Sequence, residues 1–413
     1  MYIFFFFLLA IISLLVMFNI YIVMIKIKDN KWTRGALPAL LIHVCIGSVY
    51  CWSLLKNEIA QEMGVQTSSI EFAFSLAIFF LGMSAAFCGR FIEKKVNISS
   101  LISGICFSSG LILSIISIKS GSVTGLLLSY GALMGIGLGI GYLSPVKTLM
   151  MWFSDHKGLA TGIAISGFGL SKALLSPFIV WCNKMFSVCT TLGCISILGL
   201  VCILLAAWLI KKPKPEEGAA LNLRESLKII SNPSYIKIWL IFYLNITCGL
   251  ALISFEKSIS LSASIVAVGL ISSLTAIFNT LGRFGYSSIS DLCAKKENIY
   301  LVIFGSSILA CFASGIFPGS MISIVIMLCV INAGYGGGFS TLPILLQSKF
   351  GMKNISTIHG FALSAWAWAG LSGNQLTSLI VERLNLGWPV LYMILVILYV
   401  ISFSIAWSIK KEG

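Results

Sequence analysis

GALMGIGLGIGYLSP, residues 131–145, and NAGYGGGFSTLP, residues 332–343, decide how this chain folds. Each is a glycine-rich apolar run that closes on a proline, and Pro145 and Pro343 stand 198 residues apart. Just beyond them GIAIS begins at Gly162 and GFALS at Gly360, again 198 apart. Ala77-Ile78-Phe79 returns as Ala276-Ile277-Phe278 at an offset of 199. Agreement at three places implies two copies of one unit, and parallel repeats of this length are the architecture of carriers with a site at the membrane midplane.

Composition says what the unit is made of. Of 413 residues, 58% are hydrophobic and only 10% charged, whereas a soluble domain carries about 25% charged residues. Apolar runs recur at 2–25, 36–55, 70–89, 98–118, 122–145, 158–182, 188–210, 236–255, 262–288, 299–316, 319–342, 357–380 and 388–409. Most are long enough to cross about 30 Å of hydrocarbon as a helix. Lipid leaves the backbone no outside partner, so a span is a helix or part of a closed barrel; continuous apolarity excludes the alternating strands of a barrel. The fold class is an all-α polytopic membrane protein of two six-helix bundles related by a pseudo-two-fold.

The net charge of +14 does not point to nucleic acid, because the basic residues sit in short loops on alternate sides. Counting from the second span, one side gathers Lys26, Lys28, Lys31, Arg34, Arg90, Lys94, Lys95, Lys147, Lys157, a central cluster, Lys295, Lys296, Lys349, Lys353, Lys410 and Lys411. The other holds Lys56, Lys119, Lys184, Lys257 and Arg383. The positive-inside rule puts the first set, the central loop and the C-terminus in the cytoplasm, and the chain in the inner (plasma) membrane. The domains expected are a six-helix bundle over 26–210, a charged, proline-bearing cytoplasmic linker over 211–235, and a second bundle over 236–413. Residues 1–25 are an extra N-terminal hydrophobic segment with neither basic leader nor small-residue cleavage site, so not a signal peptide. They are a thirteenth helix or a matter of start-codon choice, and residues 1–23 are expected to be dispensable. The twelve cysteines form no CxxC pair, so no metal, disulfide or cofactor role is expected.

Ionisable residues at membrane depth are costly and usually functional. Arg283 lies eight residues before Asp291, roughly 12 Å into its helix, with Ser272, Asn279, Thr280 and Ser287 at helical spacing beside it. Lys172 lies near mid-membrane with Thr161, Gly169 and Ser176 on its face; its distance from either end exceeds comfortable snorkelling. The plain alternative for both is a structural cation. All fourteen acids fall in loops or near span ends, Glu71 and Glu256 closest to the membrane. A ligand anion is therefore the natural counter-ion to the two cations. His43 is a group that could titrate or simply pack. Among the aromatics Tyr50, Trp52, Tyr142, Tyr335, Trp366 and Trp368, the four Tyr50, Tyr142, Tyr335 and Trp366 are expected to wall the cavity, because their helices carry the small-residue stripes. The glycines read as sliding contacts beside that cavity, with static packing as the alternative. Gly89-Arg90 with Glu93-Lys94-Lys95, and Ser290-Asp291 with Lys295-Lys296, each follow the second helix of a half; Arg90 and Asp291 are read as cytoplasmic gate elements.

GSVYCWSLL (47–55), GIGLGIGYLSP (135–145), MWFSDHKGLATGIAISGFG (151–169), SNPSYIKIWLIFYLN (231–245), LGRFGYSSISD (281–291) and FGMKNISTIHGFALSAWAWAG (350–370) together resemble the oxalate–formate antiporter family of the major facilitator superfamily. The likeness runs from about residue 32 onward. It implies the major-facilitator fold, alternating access, and exchange or cotransport of small carboxylates. The family's oxalate carrier uses an arginine in the eighth helix and a lysine in the eleventh. Arg283 matches the arginine, while Trp366 stands at the lysine's place, and Lys172 is available from the opposite half.

The expected function is alternating-access carriage of a small organic anion, a monocarboxylate such as formate, lactate or pyruvate more than oxalate. The carrier is an exchanger or uses a coupled proton, and works as a monomer in the lipid bilayer. The substrate-binding set is Arg283, Lys172, Tyr50, Tyr142, Tyr335, Trp366 and Asn279. Competing readings are an exporter of a neutral solute or drug, and a non-transporting membrane sensor. Without a nucleophile–base pair, a ligand set or paired buried carboxylates, an enzyme is not expected.

Overall fold

Apolar runs with no polar interruption have one stable form in lipid, and each described run is helical. The computed structural model describes residues 30–213, 223–253, 255, 265–353 and 355–411. The N-terminal segment 1–25, residues 214–222 of the linker, the stretch with Glu256 and Lys257, and the side chains of Glu93 and Ser272 lie outside the described residues. The first six long helices are α1 Trp32–Met63, α2 Phe72–Lys94, α3 Val96–Lys119, α4 Val123–Trp152, α5 Lys157–Met185 and α6 Val188–Leu209. After the linker helix Leu223–Ile230 come α7 Pro233–Ile253, α8 Ile265–Leu292, α9 Glu297–Ile316, α10 Met321–Phe350, α11 Ile355–Thr377 and α12 Trp388–Lys411. Ten helices are long and apolar enough to cross a membrane among the described residues; α8 and α11 complete the set and bear polar side chains at intervals. All secondary structure among the described residues is helical.

Local chemistry sets the helix ends. Ser122 and Ser320, 198 apart, cap α4 and α10 by accepting from the backbone N–H of Gly125 and Ser323, so the repeat reaches down to a single hydrogen bond. Gly64 closes α1 in the left-handed region at φ 67°, which costs a residue without Cβ least.

Two expectations are corrected here. The spans expected to close at Pro145 and Pro343 run on to Trp152 and Phe350, with both prolines inside the helix. A proline removes one N–H and frees the carbonyl four residues earlier, which bends a helix without necessarily ending it when neighbouring helices support it. In consequence Lys147, expected in a loop, lies in α4 and is buried.

The halves meet along α2 against α11 and α5 against α8, with α10 also on α5 and α4 on α11. Each pair is the other's repeat-mate. Glycine makes the approach close. A Cβ on Gly158 or Gly162 would collide with Ser287 of α8, and one on Gly89 or Gly360 would collide with Ser356 or Ala85, all under 3.0 Å. These contacts cluster at the face bearing Arg90, Lys157, Lys295 and Lys296, the basic face, and close it. At the opposite face, between the halves, a cavity of ≈ 450 Å³ opens among Lys56, Glu71, Lys172, Asn279, Tyr335 and Glu382.

Candidate substrate site

Beneath that cavity, one buried side chain organises the site. Arg283 is 0% exposed on α8. Its Nε donates to Oδ1 of Asn279 one turn earlier, at 2.9 Å, while both terminal nitrogens are buried without a hydrogen-bond partner. The side chain has room because glycines face it. A Cβ on Gly169 of α5 would come 3.3 Å from its Cδ, and one on Gly336 of α10 3.0 Å from its Cγ. The guanidinium carbon sits 5.2 Å from the ring centre of Phe339 and 5.7 Å from that of Phe168. Aromatic faces offset part of the cost of a buried cation, about 0.5–2 kcal/mol each, and leave the rest to a counter-ion.

The two phenylalanines belong to an aromatic box. Trp366 lies 4.4 Å from Phe339 and 5.8 Å from Phe168, and Tyr142 lies 5.5 Å from Trp366, between ring centres and mostly edge to face. Such edge-to-face pairs are the favoured arrangement of aromatic quadrupoles. Several polar atoms in this box are buried and unpartnered: Tyr142 Oη, Trp366 Nε1, and Nε2 of both His43 and His359. His43 and His359 both stand against the Tyr142 ring, at 5.3 and 6.3 Å. Nδ1 of His43 is 2.9 Å from the carbonyl of Ala39, which makes Nδ1 the protonated nitrogen and Nε2 an acceptor.

The roof is a pair of hydroxyls. Tyr50 Oη and Tyr335 Oη lie 3.0 Å apart, joining the two halves. Tyr50 sits in a 3₁₀ turn, Gly47–Cys51, that interrupts α1, and its ring packs on Phe168 at 5.1 Å. Mid-helix 3₁₀ segments often mark functional hinges. The hydroxyls of Tyr50 and Tyr142 lie close enough to Arg283 to interact electrostatically with it, short of hydrogen-bond geometry to its terminal nitrogens.

The residues singled out from the sequence therefore fall on two levels. Lys172, Tyr50, Tyr335 and Asn279 line the open cavity. Arg283, Tyr142 and Trp366 lie beneath it, fully buried. Phe168 and Phe339 belong to the box and carry no signal of their own type, since phenylalanine in an apolar helix is unremarkable; His359 also belongs to it, and as an ionisable residue within the expected span 357–380 it carried a signal that the sequence reading missed. One signal was available: Phe168 and Trp366 stand 198 apart and touch across the pseudo-two-fold.

At the basic face the Asp291 carboxylate accepts from the backbone N–H of Gly158 at 2.7 Å and of Leu159 at 3.0 Å. It thus caps the first turn of α5 from across the interface, where the helix dipole favours an anion. Lys296 caps its own side, donating to the carbonyls of Ser290 and Cys293 at the end of α8. Arg90 is exposed at the end of α2. Lys349 and Glu297 form an ion pair at 2.6 Å that ties α10 to α9.

The sequence model of the Major Facilitator Superfamily matches residues 37–374. The oxalate:formate antiporter of Oxalobacter formigenes is 26% identical over 391 residues, covering 91% of each chain. Apicoplast pyruvate carrier 1 of Toxoplasma gondii is 27% identical over 190 residues, 36% of this chain and 35% of its own. Among solved structures, the proton:xylose symporter XylE superposes with a TM-score of 0.74 at 12% identity, covering 92% of this chain and 96% of that one.

Proposed function

The chain belongs to the Major Facilitator Superfamily and is a multi-pass membrane transporter, and from that premise we propose that its cargo is a small monocarboxylate such as formate, lactate or pyruvate. The observation that carries this is Arg283: a fully buried guanidinium with two unpartnered nitrogens inside an aromatic box. Two N–H groups in a fixed fork match one carboxylate bidentately, and the aromatic walls exclude water from it. Trp366, where the resembled family's oxalate carrier has lysine, supplies an apolar wall and one N–H in place of a second cation. That favours a single negative charge over a dianion. The names of the oxalate:formate antiporter and the pyruvate carrier agree with this class of cargo.

With the basic face in the cytoplasm, the cavity opens outward and the closed face is the inner one. Transport then proceeds by alternating access, as exchange or with a proton.

The test is uptake by proteoliposomes of labelled formate, lactate, pyruvate and oxalate, with and without internal anion. A monocarboxylate should be carried by the wild type and lost in Arg283→Ala. Full carboxylate uptake by Arg283→Ala would overturn the assignment and promote a neutral cargo.

A further inference from the structure

The Arg283 fork accounts for the two oxygens of a bound carboxylate, and the aromatic box holds a hydrogen-bonding atom beyond that need. Tyr142 Oη is buried with no hydrogen-bond partner. Tyr142 lies on α4 and is 0% exposed. Its ring is packed against Phe168 at 5.7 Å, Trp366 at 5.5 Å, Phe339 at 6.3 Å and His43 at 5.3 Å between ring centres. The aromatic ring is thus held, while the hydroxyl at its tip is unspent.

That hydroxyl has a neighbour that gives it a role. It lies near enough to the Arg283 guanidinium for the two to interact electrostatically, so it borders the place where the carboxylate docks. Tyr50 Oη is also near Arg283, but it is already bonded to Tyr335 Oη at 3.0 Å. A buried polar atom without a partner is costly, and a ligand that supplies the bond gains over one that does not. Formate has only the two oxygens that the fork takes. Propionate can sit against the rings but offers the hydroxyl nothing. An oxygen on C2 lies beside the carboxylate, within reach of a group that borders the fork. One further along the chain swings away from it.

Resting on the reading that Arg283 holds the carboxylate, we propose that Tyr142 is a specificity-determining residue that reads an oxygen on C2 of the cargo. The class so recognised is the short 2-oxo or 2-hydroxy monocarboxylate, such as pyruvate or lactate, ahead of formate and unsubstituted acids. A phenolic hydroxyl both donates and accepts. It donates to the carbonyl of a 2-oxo acid and accepts from the hydroxyl of a 2-hydroxy acid. Rejection then works through an unpaired hydroxyl and not through size, because an acid without the C2 oxygen strands Tyr142 Oη in a dry box.

The experiment measures the equilibrium Kd of propionate, lactate and pyruvate, three acids of equal carbon count, by titration calorimetry on the purified full chain. Wild type should bind lactate and pyruvate at least about tenfold more tightly than propionate. Tyr142→Phe deletes one oxygen and keeps the ring. It should bring lactate and pyruvate to the propionate level, while propionate stays within about threefold of wild type; that retained binding also shows that the variant folds. Equal affinity of the wild type for all three acids overturns the proposal. So does a preference that survives Tyr142→Phe. A Tyr142→Phe that weakens all three alike overturns it too, since the hydroxyl would then serve the carboxylate itself. Arg283→Ala should weaken all three acids by a similar factor. Undiminished binding by Arg283→Ala, or none by the wild type, refutes the carboxylate assignment of Arg283, a separate failure that removes this proposal with it.

Discussion

At Arg283 the division of labour among five N–H donors is visible atom by atom. Asn279 holds Nε, and the two terminal nitrogens are left buried without a hydrogen-bond partner. Lysine would keep the charge but offers no fork and no fixed plane. Arg283→Lys should therefore lose carboxylate transport almost as completely as Arg283→Ala. Removing one partner of a desolvated ionic contact costs about 2–5 kcal/mol, so Kd should rise roughly 30-fold or more in substrate-induced thermal stabilisation. Trp366→Lys makes the converse point. It places a second cation opposite Arg283, and oxalate uptake should rise relative to formate in competition assays; unchanged preference would show that the box, and not charge, sets selectivity. Arg283 was legible in the sequence because charge at depth is rare, and Tyr50, Tyr142, Tyr335 and Trp366 because they share helices with glycine stripes. The level on which each stands was not legible. Helical spacing gives the face of a residue, while depth behind a roof depends on which rings lean together, and Phe168 and Phe339 have no polar atom to betray them.

Helix termini do at the next scale what side chains do at the site. The N-terminus of α5 is capped from α8 by Asp291, so a contact internal to most helices is here shared between halves. We propose that it forms only while the basic face is closed. Caps are worth about 0.5–2 kcal/mol, and that energy biases one access state over the other. Asp291→Ala should shift the access equilibrium toward opening of the basic face by roughly 2–30-fold, and Asp291→Asn by less. Turnover should change while carboxylate affinity stays near wild type; altered affinity with intact turnover would refute this role. The positions of the long helices were readable from apolar run length alone. Their ends were not. Pro145 and Pro343 look like stops in one dimension, whereas the packed neighbours that let α4 and α10 continue past them are contributed by distant sequence.

Taken whole, the molecule is two copies of a bundle closed at the basic face and open at the other, and the closure is repeated across the pseudo-two-fold. Gly158 meets Ser287 where α5 crosses α8, and Gly89 meets Ser356 where α2 crosses α11. Gly158→Leu and Gly89→Leu should each give a folded protein with its basic face ajar. A thiol reagent applied from that face to a cysteine introduced at Ser166 should then react faster than in the parent; equal reactivity would place the closure elsewhere. The seal consists of atoms that are missing, so substitution at these glycines can only add matter. Errors there run in a single direction, toward a leak or an arrested carrier, and no replacement tightens the joint. Random change supplies wedges and never shims, so this joint stands at the limit of its own improvement, and regulation of closure must be sought in the charges around it.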